Sequence, residues 1–382
     1  MEIINKEVIE NLSKKRSKNS ISIYLPTYRE DPETKENRNR INLKNKIKAA
    51  RQELEDQRYK ENEIEEYLKP LNDIMKDAGF LRNLGDGLAI FLNENTFEYY
   101  RLPLNFDSIL YMGNDFYLLS LLRPVRENKS FYILSLNLHG VKLYKADRFS
   151  IEEEKVEAFV PEKIEEVTGF DDYRNKVYQH SSALVGGGQT FYQGHARGEE
   201  EKKQEVKRFL RYVEDGLQTI LQDKTESLVV ASVDYIFSLF SDTTRYKHLM
   251  SKNISESPAD ETPTNLLQKA WQVMQEQLDQ EHKEMVQKYR DASNKSYMID
   301  DIVPNILYNR VHTLFVNKKE SIWGSVHNDT FEVMRHAERQ DGDEDLLNYS
   351  AIRAFLNNGN VYLMEPEEMP DQNKALNALY RF

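Results

Sequence analysis

Residues 186–198 hold five of the 15 glycines in this 382-residue chain, Gly186, Gly187, Gly188, Gly194 and Gly198, and with them Gln189, His195 and Arg197. Glycine has no Cβ and tolerates φ > 0, so a loop this rich in it can bring bare backbone up to a partner. Gly187 and Gly188 would let the backbone approach such a partner closely, with the Gln189 amide at the tip. His195 is the other candidate tip, because an imidazole with an ordinary pKa near ~6.5 is a usable base at neutral pH. The basic residues that follow, Arg197, Lys202, Lys203, Lys207, Arg208 and Arg211, are the side-chain types that contact with phosphate requires.

Such a loop must be mounted on regular structure. From Glu199 onward Val206, Leu210, Val213, Leu217 and Ile220 recur at i, i+4, i+7, i+11 and i+14, which predicts an amphipathic helix. Glu199, Glu200 and Glu201 would occupy its first turn, where carboxylates suit the positive end of the dipole. Upstream, residues 22–28 read as a short strand, followed by a pair of helices. Leu43, Ile47, Ala50 and Leu54 share a face of the first, and Ile64, Leu68, Leu71 and Met75 a face of the second. Residues 88–92 and 97–102 read as a β-hairpin, and residues 131–138 and 141–146 as another turned at His139-Gly140. The acid-rich stretch 150–180 predicts an exposed arm, the β-branched run 227–237 a buried central strand, and the proline-containing stretch 251–265 a linker. A long helix is expected over 266–289. Helix and strand then alternate through 302–307, 311–316, 330–334, 345–356 and 361–365, with Gly359 just past the helix 345–356 as its C′ residue. The fold class is α/β (α+β), in three domains: 1–125, 126–265 and 266–382.

Composition narrows the chemistry. The chain has no Cys, which removes thiolate catalysis, disulfides and Cys-ligated zinc and fits a reducing compartment, here the cytoplasm. Hydrophobic residues make up 39 %, with 17 Phe and 22 Tyr to supply cores, and no window approaches a membrane span. A formal charge of −12 argues against indiscriminate binding to nucleic acid, so no DNA partner is expected, while local patches can still touch RNA. One patch is the helix after the glycine loop. A second, Arg38, Arg40, Lys44, Lys46, Lys48 and Arg51, crowds an earlier helix. There is no nucleophile elbow, P-loop, dinucleotide fingerprint or H-E-x-x-H motif, and the eight His are scattered, so neither cofactor nor metal is expected. Asp341, Asp343, Glu344 and Asp345 could hold a hard cation or cap the helix that follows.

Gly187-Gly188-Gln189, the downstream Arg197 and the charged amphipathic helix resemble the catalytic loop of class I peptide-chain release factors of archaea and eukaryotes and of their relative Pelota. The strand at 22–28, the segment 231–249 and the terminal ALYRF resemble the bacterial family of archaeo-eukaryotic-type release-factor homologues, so the likeness runs over essentially the whole chain. It implies an N-terminal α/β domain, a ribonuclease-H-like middle domain bearing the glycine loop, and an L7Ae-like C-terminal α/β sandwich. It also implies a ribosomal partner, rRNA and tRNA, and hydrolysis of peptidyl-tRNA as the reaction of the loop. Two departures bear on that reaction. Thr190, Phe191 and Tyr192 stand where the family keeps small residues and arginines, and Tyr192-Gln193-Gly194-His195 looks like the Gly-His loop of the bacterial members. Residues 1–124 show none of the decoding motifs of true release factors. The expected function is therefore a codon-independent, ribosome-associated factor acting in ribosome rescue or in occupancy of idle ribosomes. A non-catalytic RNA-binding or protein-interaction module stays open beside it.

Overall fold

The computed structural model describes residues 4–27, 32–127, 129–156, 160–161, 163–168, 191–258, 261–327 and 329–382, and at some helical positions, 191–199 among them, the backbone alone. The architecture is mixed α/β, and the chain divides into two compact units, Met1–Glu127 with Lys283–Phe382, and Asn128–His282.

The first unit opens with α1 (Lys6–Lys14), whose first turn is capped by the Asn5 side chain accepting from Val8 N–H. Then come β1 (Ser20–Pro26), α2 (Pro32–Asp56), α3 (Glu61–Lys76), α4 (Ala78–Arg82), β2 (Gly87–Asn93), β3 (Thr96–Leu102), β4 (Ile109–Gly113) and α5 (Leu119–Glu127). The four strands form an antiparallel sheet in the order β3-β2-β1-β4. Alternate residues of β1 and β2 face opposite ways. Ile21, Ile23, Leu25, Leu88 and Ile90 meet the predicted stripes of α2 and α3, while Tyr24, Ala89 and Phe91 face α1 and α5. With both faces covered, every residue of β2 is buried.

The second unit contains β5 (Phe131–Asn137), β6 (Gly140–Ala146), β7 (Ile151–Glu154), α6 (Ile164–Thr168), α7 (Phe191–Leu221), β8 (Leu228–Ala231), α8 (Asp234–Ser241) and most of α9 (Pro263–Asp291). Its sheet runs β7-β6-β5-β8, with β8 parallel to β5. The sheet is sandwiched: Tyr132, Leu134, Leu143 and Val230 face α7 and α8, whereas Phe131, Ile133, Val229 and Ala231 face Leu266, Ala270 and Val273 of α9. Three expectations are corrected here. The run 227–237 is not one strand, because the strand ends at Ala231 and residues 234–241 turn into a helix that buries Ile236, Leu239 and Phe240. Residues 251–258 are no free linker. Ile254 N–H donates to Val230 C=O at 2.9 Å, and Met250 and Ile254 are buried, since β8 would otherwise leave one side of its backbone unpaired. The stretch from Ser150 is not all exposed arm, for residues 151–154 pair with β6 and Val156, Val160 and Ile164 enter the core.

The chain then returns to the first unit with β9 (Lys295–Ser296), α10 (Ile299–Leu307), β10 (Val311–Asn317), β11 (Trp323–Val326), β12 (Val333–His336), β13 (Glu344–Asp345), α11 (Leu346–Leu356), β14 (Asn360–Met364) and β15 (Leu376–Tyr380). These make a four-stranded sheet, β14-β10-β15-β9, and a three-stranded one, β12-β11-β13. The segment 302–307 is helical, and α11 ends with Asn358 in the left-handed region at φ 59°, not Gly359. Gly359 is required for another reason: a Cβ there would stand 2.9 Å from the Ala354 carbonyl oxygen.

One buried side chain ties the two chain segments of this unit together. Asn348 accepts from Leu118 N–H at 2.8 Å and Leu119 N–H at 3.0 Å, and donates to the Phe116 carbonyl at 3.0 Å and to Asp115 at 3.1 Å. Tyr111 also donates to Asp115, at 2.8 Å. Burial pushes the Asp115 carboxyl up to about 6; Glu344 adds to the rise, while the Tyr111 hydroxyl and Arg16 oppose it. A carboxyl with a folded pKa above its unfolded value, near ~3.8, stabilises the fold fully only below that unfolded value, and the contribution is lost as pH rises through about 6. The melting temperature should therefore carry a downward slope between about pH 4 and 6 that Asp115→Asn flattens. Thermal unfolding in matched buffers checks this, and equal slopes in the two proteins would remove Asp115 from the account.

Candidate RNA interface

The apolar stripe of α7 decides which way its cations point. Val206, Phe209, Leu210, Val213 and Leu217 are at most 7 % exposed, packed on Tyr132, Leu134 and Leu143 of the sheet and on Ile236, Leu239 and Phe240 of α8. Each such burial contributes about 1.5–3 kcal/mol, which sets the rotation of the helix about its axis. The stripe predicted from spacing is thus in place, with Phe209 added and Ile220 only partly buried. The helix begins at Phe191, so Glu199, Glu200 and Glu201 lie inside it and not in its first turn.

With the stripe inward, Lys202, Lys203, Arg208 and Arg211 are exposed and Lys207 is half-buried. Lys203, Lys207 and Arg211 follow one another at i, i+4 and i+8 and so form a row along the helix. Among the described residues, none of these five cations forms an ion pair or hydrogen bond. The acids further along α7 are engaged elsewhere. Glu214, only 3 % exposed, accepts from Arg245 N–H at 2.8 Å and from the Gln218 amide at 2.7 Å. Asp215, one turn beyond Arg211, takes the Arg245 guanidinium at 2.7 Å. An arginine from outside the helix thus holds the acid that Arg211 would otherwise meet at i+4.

The second basic patch is different. On α2, Arg40 pairs with Glu36, which also receives Arg82 at 2.7 Å, and Arg51 pairs with Glu61. Lys46 donates to the Ser108 carbonyl at 2.9 Å, and burial lowers its pKa. Half of that patch, Arg40, Lys46 and Arg51, is built into its own unit and unavailable to phosphate, which leaves α7 as the better interface.

Gly187, Gly188 and Gln189 lie outside the described residues. His195 and Arg197 fall on the backbone of α7, with their side chains likewise outside. The structure therefore brings together Lys202, Lys203, Lys207, Arg208 and Arg211 alone. Three of the four acids in the acidic run are committed to structure: Asp345 caps α11 by accepting from Leu347 N–H at 2.9 Å, Asp343 holds His336 Nδ1 at 2.9 Å, and Glu344 pairs with Arg16. Among the described residues no group of His, Asp and Glu could hold a metal ion, and no helix is long and apolar enough to cross a membrane. Two residues that periodicity did not single out, Tyr212 and Arg245, belong to the face. Tyr212 could have been found as an aromatic lying off the apolar stripe one turn from Arg208, whereas Arg245 left no signal because it comes from another element.

Residues 131–276 match the family model described as bacterial archaeo-eukaryotic release factor family 7, limits that fall inside the second compact unit, Asn128–His282. That model covers fewer than half of the chain's residues, and over it the chain is similar to the bacterial archaeo-eukaryotic release factor family, which the segment 231–249 resembles. Among solved structures, the archaeal translation termination factor aRF1 is similar at 14 % identity, covering 100 % of this chain and 99 % of that one, with a TM-score of 0.22. Archaeoglobus fulgidus Pelota is similar at 12 % identity over 77 % and 79 % of the two chains, TM-score 0.32. S. cerevisiae Dom34 is similar at 11 % over 78 % and 73 %, TM-score 0.33. At these TM-scores the likenesses carry no argument, and the similarity that does rests on 131–276. No curated protein matches the chain.

The two kinds of charge on α7 should respond oppositely to mutation. Glu214→Ala strands Arg245 N–H and removes two hydrogen bonds in a buried place, a drop of about 2 kcal/mol in denaturant unfolding. Arg211→Ala, which touches no described partner, should stay within about 0.5 kcal/mol of the parent. A large drop at Arg211 would show that its guanidinium is structural.

Proposed function

We propose that the chain is a release-factor-like translation factor that associates with the ribosome in a codon-independent way, through the cationic face of α7 and the glycine loop that precedes it. The observation that carries this reading is the row of cations on α7, unpaired among the described residues, within the segment 131–276 that matches the release-factor family. A helix whose Glu214 and Asp215 are engaged by Arg245, and whose Lys203, Arg208 and Arg211 are exposed, offers those cations to phosphate with little to break first. In this reading 126–265 is the ribonuclease-H-like domain that presents the loop, flanked in sequence by 1–125 and the L7Ae-like 266–382, and the protein works in the cytoplasm on rRNA and tRNA. Ribosome rescue by peptidyl-tRNA hydrolysis would place Gly187 and Gly188 against the ester and leave Gln189 or His195 to polarise the carbonyl or position water. Occupancy of idle ribosomes without chemistry is the second reading. What favours it is the pair Phe191-Tyr192, bulky rings two and three residues after Gln189 in sequence.

Binding and chemistry separate in two measurements. Reversal of Lys203 and Arg211 together to Glu should weaken cosedimentation with ribosomes and lower the salt slope of binding by about one for each phosphate no longer engaged. An unchanged slope would make the face a solvated helix surface. Single-turnover release of peptide from loaded ribosomes tests the loop, since removal of a polarising donor costs about 10²–10³ in rate. A Gln189-dependent activity should be flat from pH 6 to 8, while a His195-dependent one should fall toward pH 6 as the imidazole protonates. Binding with no release by the intact protein would select occupancy, and full release by the double alanine variant would exclude both residues.

A further inference from the structure

The exposed face of α7 is not uniformly charged. Tyr212 is 46 % exposed although its neighbours Phe209, Leu210 and Val213 are fully buried, so the core does not require its ring. It stands one turn from Arg208 and next to Arg211, and it makes no ring contact with another described residue. Over 202–211 five cations accompany a single carboxylate, Glu205, and beyond Tyr212 the acids Glu214 and Asp215 are held by Arg245. The surround decides what such a ring can serve. A docking protein would need contiguous apolar surface, and here the ring's exposed neighbours on the helix are charged. Cations bind phosphate without reading the base, and a free aromatic face among them takes a base by stacking. Bases inside a duplex are already stacked, so the ligand is single-stranded. From Lys203 to Arg211 the row spans about 12 Å of helix axis, room for a few nucleotides.

We propose that Tyr212 is a stacking platform for one unpaired RNA base, whose neighbouring phosphates lie on Arg208 and Arg211. The inference deepens the RNA-binding reading of α7 and rests on it. Stacking adds to the phosphate interaction a contribution that is independent of salt and selective for unpaired RNA.

The test uses the full chain and a fluorescein-labelled ten-nucleotide RNA of mixed sequence, single-stranded or annealed to its complement, followed by anisotropy at several salt concentrations. Tyr212→Ala should weaken single-strand binding by about 10- to 100-fold with the salt slope unchanged, while Tyr212→Phe, which keeps the ring, binds like the parent. Duplex binding should be the same for all three. Circular dichroism confirms that α7 is intact in each variant. If Tyr212→Ala binds single strand as tightly as the parent while reversal of Lys203 and Arg211 weakens it, stacking is overturned and the cationic interface stands. Equal weakening by Phe and Ala would overturn stacking in favour of a hydroxyl contact. No single-strand binding by the parent, with ribosome cosedimentation also absent, would overturn the RNA reading of α7 and this inference with it.

Discussion

The functional face of this protein depends on how one helix is seated. Phe209, Leu210, Val213 and Leu217 must leave water together, and on a helix of 3.6 residues per turn only one rotation about the axis buries all four. That rotation directs Lys203, Arg208, Arg211 and Tyr212 outward with no interaction of their own needed to hold them. The free energy that presents the cations comes from the opposite side of the helix, so they need no partner among the described residues.

Two acids of the helix, Glu214 and Asp215, are held in place by Arg245. Glu214 sits at the edge of the buried stripe, and its carboxylate would be costly there without Arg245 N–H and the Gln218 amide. Holding Glu214 and Asp215 on one arginine also prevents them from drawing Arg211 into an i, i+4 pair of the kind that fixes Arg40 to Glu36 on α2. The same amphipathic logic thus yields an available basic face in one unit and one half committed to its own contacts in the other.

The first unit faces a different constraint. Its two chain segments are brought together around Asn348, whose amide meets two backbone N–H groups, a carbonyl and the Asp115 carboxylate. Full satisfaction of that amide is what permits a polar group at the centre of an apolar cluster. Asp115 is less comfortable: Arg16 and Tyr111 offset its burial only in part, and its raised pKa measures the remainder.

Much of this was legible along the chain. The stripes of α2, α3 and α7, the two hairpins and the long helix α9 rest on local periodicity, and local periodicity survives folding because each element buries one face. What misled was any segment whose partner is remote in sequence. The run 227–237 has strand composition throughout, yet pairing with β5 ends at Ala231 and the next turn of chain does better as a helix over the core. Residues 251–258 read as linker by their serines and Pro258, but the open side of β8 recruits them. The amino-acid sequence by itself determined which residues are apolar at which spacing, that thiol chemistry is absent, and that a glycine loop with a basic helix behind it is the place to look for function. Only the tertiary structure decided which basic helix has cations to spare, because pairing across space, Arg245 to Glu214 and Asp215, Arg51 to Glu61, is set by the packing of elements and leaves no trace in the spacing of residues within any one of them.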